Sequence, residues 1–254
     1  MRAFTIMVYR QIKRFIRARS RVAGMIINPL VWLIFFGVGW SGVFKDIQIF
    51  GGVDYLTYLA PGIFAMTIFN QSFLSGVSVI WDKEFGFLKE VLVAPASRKE
   101  SIAGRIVGDS IVATIQGFVI LLLTFLLTKL KISGIIPALV MGFLFAMIFT
   151  SFGVIIATNM ESMEGFHMIT GVLMLPLIFL SGALYPIDAM PKWMKALVYI
   201  NPMTYAVDGA RHYLVGKAAN FPLVLDFCVL VLLAVVFLGI AMISFERATI
   251  ELSV

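Results

Sequence analysis

The chain has 254 residues, 61% of them hydrophobic and 13% charged, where a soluble domain carries about 25% charged residues. No soluble core absorbs that much apolar surface, which excludes a globular enzyme and, despite a formal net charge of +6, a nucleic-acid partner. Six apolar runs of roughly 20 residues, each able to cross about 30 Å of hydrocarbon, predict a single all-α polytopic membrane domain over 1–254.

Residues 2–21 hold seven basic groups (Arg2, Arg10, Lys13, Arg14, Arg17, Arg19, Arg21), and no acid precedes Asp46. Phe4, Met7, Val8, Ile12, Phe15 and Ile16 share a helical face, so 1–21 reads as an interfacial helix. Each basic group near an anionic leaflet is worth roughly 1 kcal/mol. An Arg-rich, acid-free start also resembles a transit peptide, but this one runs straight into a span without a cleavage-like site.

Spans are expected at about 22–44, 56–80, 101–128, 135–158, 166–184 and 223–245, with Asn28-Pro29 interrupting the first and Pro176 inside the fifth. Between the second and third, Phe85, Leu88, Val91 and Leu92 recur at helical spacing while Lys83, Glu84, Lys89 and Glu90 face elsewhere. Pro95 ends that short amphipathic helix. Ser97 and Glu100 then have capping-box spacing, and beyond them Arg105 and Asp109 stand where an i, i+4 pair forms. Gly104-x-x-x-Gly108 permits close helix packing.

The long connection 185–222 is too apolar for simple loop. Met190, Trp193, Met194, Leu197 and Ile200 have helical spacing after Pro191, a good first-turn residue. Asn201-Pro202 breaks that helix, and Tyr205–Val215 reads as another, with Asp208 and Arg211 placed to pair at i, i+3. Both are too short to span, so they dip into or lie on the membrane.

Counting Lys and Arg sets the orientation. With the N-terminus inside, 13 fall on the cytoplasmic side and 7 outside, which places both termini in the cytoplasm.

No P-loop sequence is present, and His167 and His212 fall on opposite sides of the membrane, so they cannot share a zinc. No Asp, Glu, Lys or Arg sits mid-span; Asp109 and Asp226 lie near span ends. Ion-coupled carriers need buried ionisable groups as relays or ion sites, so their absence points to energy supplied by a partner. An ion-gradient-driven carrier or channel, whose sodium site could be built from carbonyls alone, is the alternative. On the second span Thr67, Gln71, Ser75 and Ser78 follow 4, 4, 3 spacing with Asn70 beside them. That face, like Gln116 on the third span, either lines a pathway or joins helices.

Taken in order, W-D-K-E-F-G-F-L-K-E-V-L-V-A-P-A-S-R at 81–98, F-L-S-G-A-L-Y-P at 179–186, M-P-K-W at 190–193 and N-P-M-T-Y-A-V-D-G-A-R at 201–211 resemble the membrane-spanning subunits of type-2 ATP-binding-cassette exporters. The resemblance covers essentially the whole chain. It implies that 86–94 is a cytoplasmic coupling helix docking on an ATPase subunit, with Glu84, Gly86, Leu88, Glu90 and Pro95 matching its pattern. It implies two short external re-entrant helices, with Ser181, Gly182, Pro186, Pro191, Trp193, Pro202, Tyr205, Asp208 and Arg211 in that region. It favours a translocation path along Thr67, Asn70, Gln71 and Ser75. ATP and magnesium would be bound by two partner ATPase subunits, not by this chain. A second permease copy completes the path, as a homodimer or a heterodimer, in the plasma or inner membrane, for a drug-like or lipid-like cargo.

Overall fold

In hydrocarbon every backbone N–H and C=O must find a partner within the protein, so uninterrupted apolar runs fold as helices. The computed structural model describes residues 2–18, 24, 27, 29–43, 50–84, 97–160 and 162–251, with only the backbone of Arg2, Ser41, Glu84 and 248–251. Helix is the regular structure among them, without strands. We label α1 (Arg2–Arg17), α2 (Pro29–Val38, π-helical from Leu33, continued by Gly39–Ser41), α3 (Tyr55–Leu74), α4 (Val77–Glu84) and α5 (Arg98–Phe125). Then follow α6 (Ile135–Thr158), α7 (Met163–Phe179), α8 (Lys192–Val198), α9 (Pro202–Leu214) and α10 (Leu223–Glu251).

Four stretches are long and apolar enough to cross a membrane: Tyr55–Lys83, Arg98–Phe125, Ile132–Thr158 and Leu223–Arg247. Pro29–Val38 and Met163–Phe179 are apolar but shorter. The expected first span lies partly, and the expected coupling helix wholly, outside the described residues.

Helix starts follow local chemistry. The Asp54 carboxylate accepts from Thr57 N at 3.0 Å and Thr57 Oγ1 at 2.8 Å, capping α3. Ser97 Oγ accepts from Glu100 N at 3.4 Å, the expected α5 cap. Asn201 does more than break a helix: its side chain accepts from Met203 N at 3.0 Å, and Pro202 opens α9, which therefore begins three residues before the expected start. Between α3 and α4 the chain stays helical through Ser75–Gly76, but Gly76 N, Ser78 N and Val79 N donate three residues back. A tightened turn thus interrupts one long helix.

α3, α5 and α6 pack on one another, α10 lies on α6 and α5, and α9 sits against α3, α6 and α10. Phenylalanines fill the seams: Phe69 meets Phe149 edge-on at 4.8 Å, and Phe73 stacks on Phe166 at 5.1 Å. The spanning part of α10 is only 17% buried, leaving Leu232, Val235 and Ile240 exposed.

α1 lies along the first half of α5. A Cβ on Gly104 would stand 2.9 Å from Phe4 Cα, and one on Gly108 would stand 3.1 Å from Val8 Cα. The G-x-x-x-G pair is therefore the seat of the N-terminal helix. Phe4, Met7, Val8, Ile12 and Phe15 are at least partly covered, while Ile16 is exposed with Ile6 and Tyr9. We predict that Gly104→Val pries α1 from α5 at a cost of about 1–3 kcal/mol. Faster proteolysis within residues 2–17 in nanodiscs would register it; unchanged protection would refute the seat.

Candidate functional site

The polar stripe on α3 faces a cavity of about 430 Å³ bounded by α1, α2, α3, α4, α5 and α7. Thr67, Asn70, Gln71 and Ser75 all line it, with Ser78 one turn further on. Thr67 Oγ1 donates to Ile63 O, Ser75 Oγ to Ser72 O and Ser78 Oγ to Ser75 O, at 2.8, 2.7 and 2.7 Å. These hydroxyls spend their protons on their own helix. Gln116 Nε2 donates to Gln71 Oε1 at 3.1 Å, so one amide pair both joins α5 to α3 and lines the cavity. Phe15, Trp32 and Trp81 form the aromatic wall, and His167 of α7 stands at its edge.

At the end nearest α1, Asp82 is the node. Its carboxylate accepts from Arg105 Nη1 at 2.6 Å and Arg10 Nη2 at 3.4 Å, and Arg105 Nη2 donates to Ser78 Oγ at 2.6 Å. Arg105 and Asp82 are buried, so this is a charge-assisted pair in poor solvent, not a surface contact. The expected Arg105–Asp109 pair is corrected: Arg105 reaches across to α4 because Asp82 and Ser78, one turn apart, present two acceptors to its planar fork. Asp109 is left buried, with Oδ2 lacking a hydrogen-bond partner. Lys83 Nζ donates to Thr158 O and Trp81 Nε1 to Met163 Sδ, tying the same end to α6 and α7.

At the opposite end the expected Asp208–Arg211 pair does not form either. Arg211, 1% exposed, donates through Nη2 to Gly182 O at 2.9 Å and Tyr58 O at 3.4 Å. Its guanidinium lies 3.9 Å from the Tyr58 ring centroid, and Tyr58 Oη donates to the same Gly182 carbonyl at 3.0 Å. Gly182 takes φ +71, a left-handed backbone that presents this carbonyl at little steric cost. Asp208 instead accepts from Asn220 N at 2.8 Å and Phe221 N at 2.9 Å, holding the chain that leads into α10. Asp226, the first-turn acid of α10, is fully buried with neither carboxyl oxygen hydrogen-bonded.

The other residues expected here are scattered. Ser181 Oγ donates to Ile178 O at 2.7 Å and closes the end of α7; Tyr205 Oη donates to Tyr199 O at 2.7 Å; Pro186 and Pro191 border the turn before α8; Trp193 is 67% exposed. Gly86, Leu88, Glu90 and Pro95 lie outside the described residues, and Glu84 ends α4. Asp82, Gln11 and Tyr58 escaped the sequence reading. The signal for Asp82 was its i, i+4 relation to Ser78 on one face.

Two outcomes test these junctions. Asp82→Asn leaves the buried Arg105 guanidinium without its counter-charge, costing about 3–5 kcal/mol; a double-mutant cycle with Arg105→Met in SDS-titrated unfolding should show strong coupling, and additive losses would refute the pair. Arg211→Lys keeps the charge but loses the stacked, forked donor and should cost about 2 kcal/mol, whereas an unchanged transition would mean that the ring and carbonyl contacts carry no energy.

Comparison with known proteins fits this arrangement. The ABC-2 type transporter family model matches residues 2–215. The chain is 34% identical over 204 residues to a putative transport permease, ycf38, of Cyanophora paradoxa, covering 79% of this chain and 69% of that one. It is 26% identical over 247 residues to the daunorubicin resistance ABC transporter permease protein DrrB1 of Streptomyces coeruleorubidus, covering 92% and 83%. To a probable multidrug ABC transporter permease, YbhR, of Escherichia coli K12 it is 28% identical over 162 residues, covering 61% and 43%. Permeases of this kind normally work with ATP-binding subunits. With most of its length inside the matched region, and with apolar helices long enough to span a bilayer, this chain is a membrane protein of the ABC-2 type transporter family.

Proposed function

We propose that this chain is the permease subunit of an ATP-driven exporter. It forms the translocation path with a second permease copy, identical or not, and is driven by two cytoplasmic ATPase subunits that bind ATP and magnesium. The observation that carries the reading is the joining of cavity and base by one long helix. Thr67 to Ser75 line the cavity, and Asp82, further along, is tied by ion pairs to α1 and α5 immediately before the segment 85–96. In this reading α2 and α7 belong to the first and fifth of six spans, α8 and α9 are the external re-entrant pair, and both termini are cytoplasmic in the plasma or inner membrane. Closure of the ATPases pushes the coupling helix at 86–94, and the Asp82 junction passes that push to α1, α4 and α5 together. The names of the drug-resistance and multidrug relatives support efflux of an amphipathic, drug-like or lipid-like cargo.

A second reading, an ion-gradient-driven carrier, draws on Asp109 and Asp226, each buried with a carboxyl oxygen that has no partner. One experiment separates the two. The purified chain should lack ATPase activity and should not transport in liposomes; co-expression with its cognate ATPase should restore nucleotide-dependent transport. Glu84→Ala and Glu90→Ala should each weaken co-purification of the ATPase several-fold with insertion unchanged. Gradient-driven uptake by the chain alone would establish the carrier, and normal complexes from both variants would overturn the docking assignment.

A further inference from the structure

The turn from α5 to α6 lies between two stretches long enough to cross a membrane, Arg98–Phe125 and Ile132–Thr158. It therefore stands at a bilayer surface, at the far end of α5 from Arg105. Lys129, Leu130 and Lys131 run through it outside any helix, and Lys131 has extended backbone (φ -82, ψ 119). Side chains alternate along an extended chain. Leu130 accordingly turns inward and is buried, while Lys129 and Lys131 are both exposed.

The end of α9 brings a third cation. Lys131 N donates to Leu214 O at 2.8 Å, and a Cβ on Gly134 would stand 3.0 Å from Leu214 N. Gly216 follows with φ +75, and the Lys131 ammonium occupies the place that a side chain there would take. Lys217 is the next residue and is exposed. None of these three lysines forms an ion pair among the described residues. Asp208 and Asp226 are buried, and Asp188 meets Lys195. Positive charges gathered without a counter-charge repel one another, so an anion seated among them is favoured.

The surroundings decide which anion. Leu126, 79% exposed, and Leu127 precede the lysines; Ile132 and Ile136, 75% exposed, follow them. A soluble anion would leave those four side chains in water. A lipid covers them with its acyl chains, while the lysine stems run over apolar surface and carry their ammoniums to its headgroup. A zwitterionic headgroup brings its own cation to the patch, so a net negative one is preferred.

We infer that Lys129, Lys131 and Lys217 hold the headgroup of an anionic phospholipid whose acyl chains lie on Leu126, Leu127, Ile132 and Ile136. Such a lipid bridges the α5–α6 turn to the end of α9 as a resident molecule, not as cargo, and its binding requires neither an ATPase nor export. The test places the full chain in phosphatidylcholine nanodiscs with a minor fraction of photoreactive phosphatidylglycerol and reads labelling peptide by peptide. Labelling of 126–136 is expected, displaced by unlabelled phosphatidylglycerol but not by soluble glycerol phosphate. Lys129→Gln, Lys131→Gln and Lys217→Gln should each weaken phosphatidylglycerol binding there about fivefold, and the triple variant about a hundredfold. Labelling along α1, whose basic residues these variants keep, reports that they remain folded. Leu126→Gln combined with Ile132→Gln should weaken binding as well, because the apolar seat is lost. Equal labelling of this turn by photoreactive phosphatidylcholine, or full labelling of the triple variant, would overturn the proposal. Displacement by glycerol phosphate with no effect of the Leu126 and Ile132 changes would also overturn it and make the patch a site for soluble anions.

Discussion

Charge in this protein stands near the two ends of the helix bundle, because an Asp, Lys or Arg at the centre of a bilayer costs about 3 kcal/mol or more. At one end Asp82 collects Arg105 and Arg10. At the other Arg211 and Asp208 are buried on the same helix. Between them the only polarity on α3 is uncharged, from Thr67 through Asn70 and Gln71 to Ser75. The cavity is lined by the amides and hydroxyls of that stretch together with Arg14, Asp109 and His167.

The two ends are closed by different chemistry. Asp82 and Arg105 are a matched pair, and their opposite charges offset much of what burial costs them. Arg211 makes no ion pair among the described residues; it is held by two carbonyls and the face of Tyr58. That solution depends on the turn after α7, where Gly182, at φ +71, presents its carbonyl to both Arg211 and Tyr58. It joins the start of α3, the turn after α7 and the last turn of α9 through one side chain. Asp208 is thereby released from Arg211 and fixes the entry to α10 through backbone N–H groups.

What could be read from the sequence was what depends on neighbours along the chain. Hydropathy placed the long helices, Ser97 announced a helix start, and the 4, 4, 3 spacing put Thr67, Gln71 and Ser75 on one face, which the structure turns toward a cavity. What failed depended on neighbours in space. Spacing allowed Arg105–Asp109 and Arg211–Asp208, but a local pair on a helix is worth only about 0.2–0.5 kcal/mol. Either arginine finds better partners across a helix interface: Asp82 with Ser78, or Tyr58 with Gly182.

The long helical stretch Tyr55–Lys83 shows how these parts combine. From Thr67 to Asp82 is about 22 Å of helix, so the cavity wall and the charged base are one mechanical element, interrupted only by the tightened turn at Ser75–Gly76. A rigid rod would tilt as a whole; a rod with one weak turn can swing its base while its upper part stays seated on α5 and α6. The base is not free to swing alone, because Asp82 draws Arg10 and Arg105 with it, and Gln71 is tied to Gln116 above the turn. Any force applied just beyond Glu84 is therefore divided at that turn, between α1 and α5 below it and the cavity wall above. On the proposed coupling, that division would let a push at the membrane surface reshape the cavity without moving a charge through the bilayer.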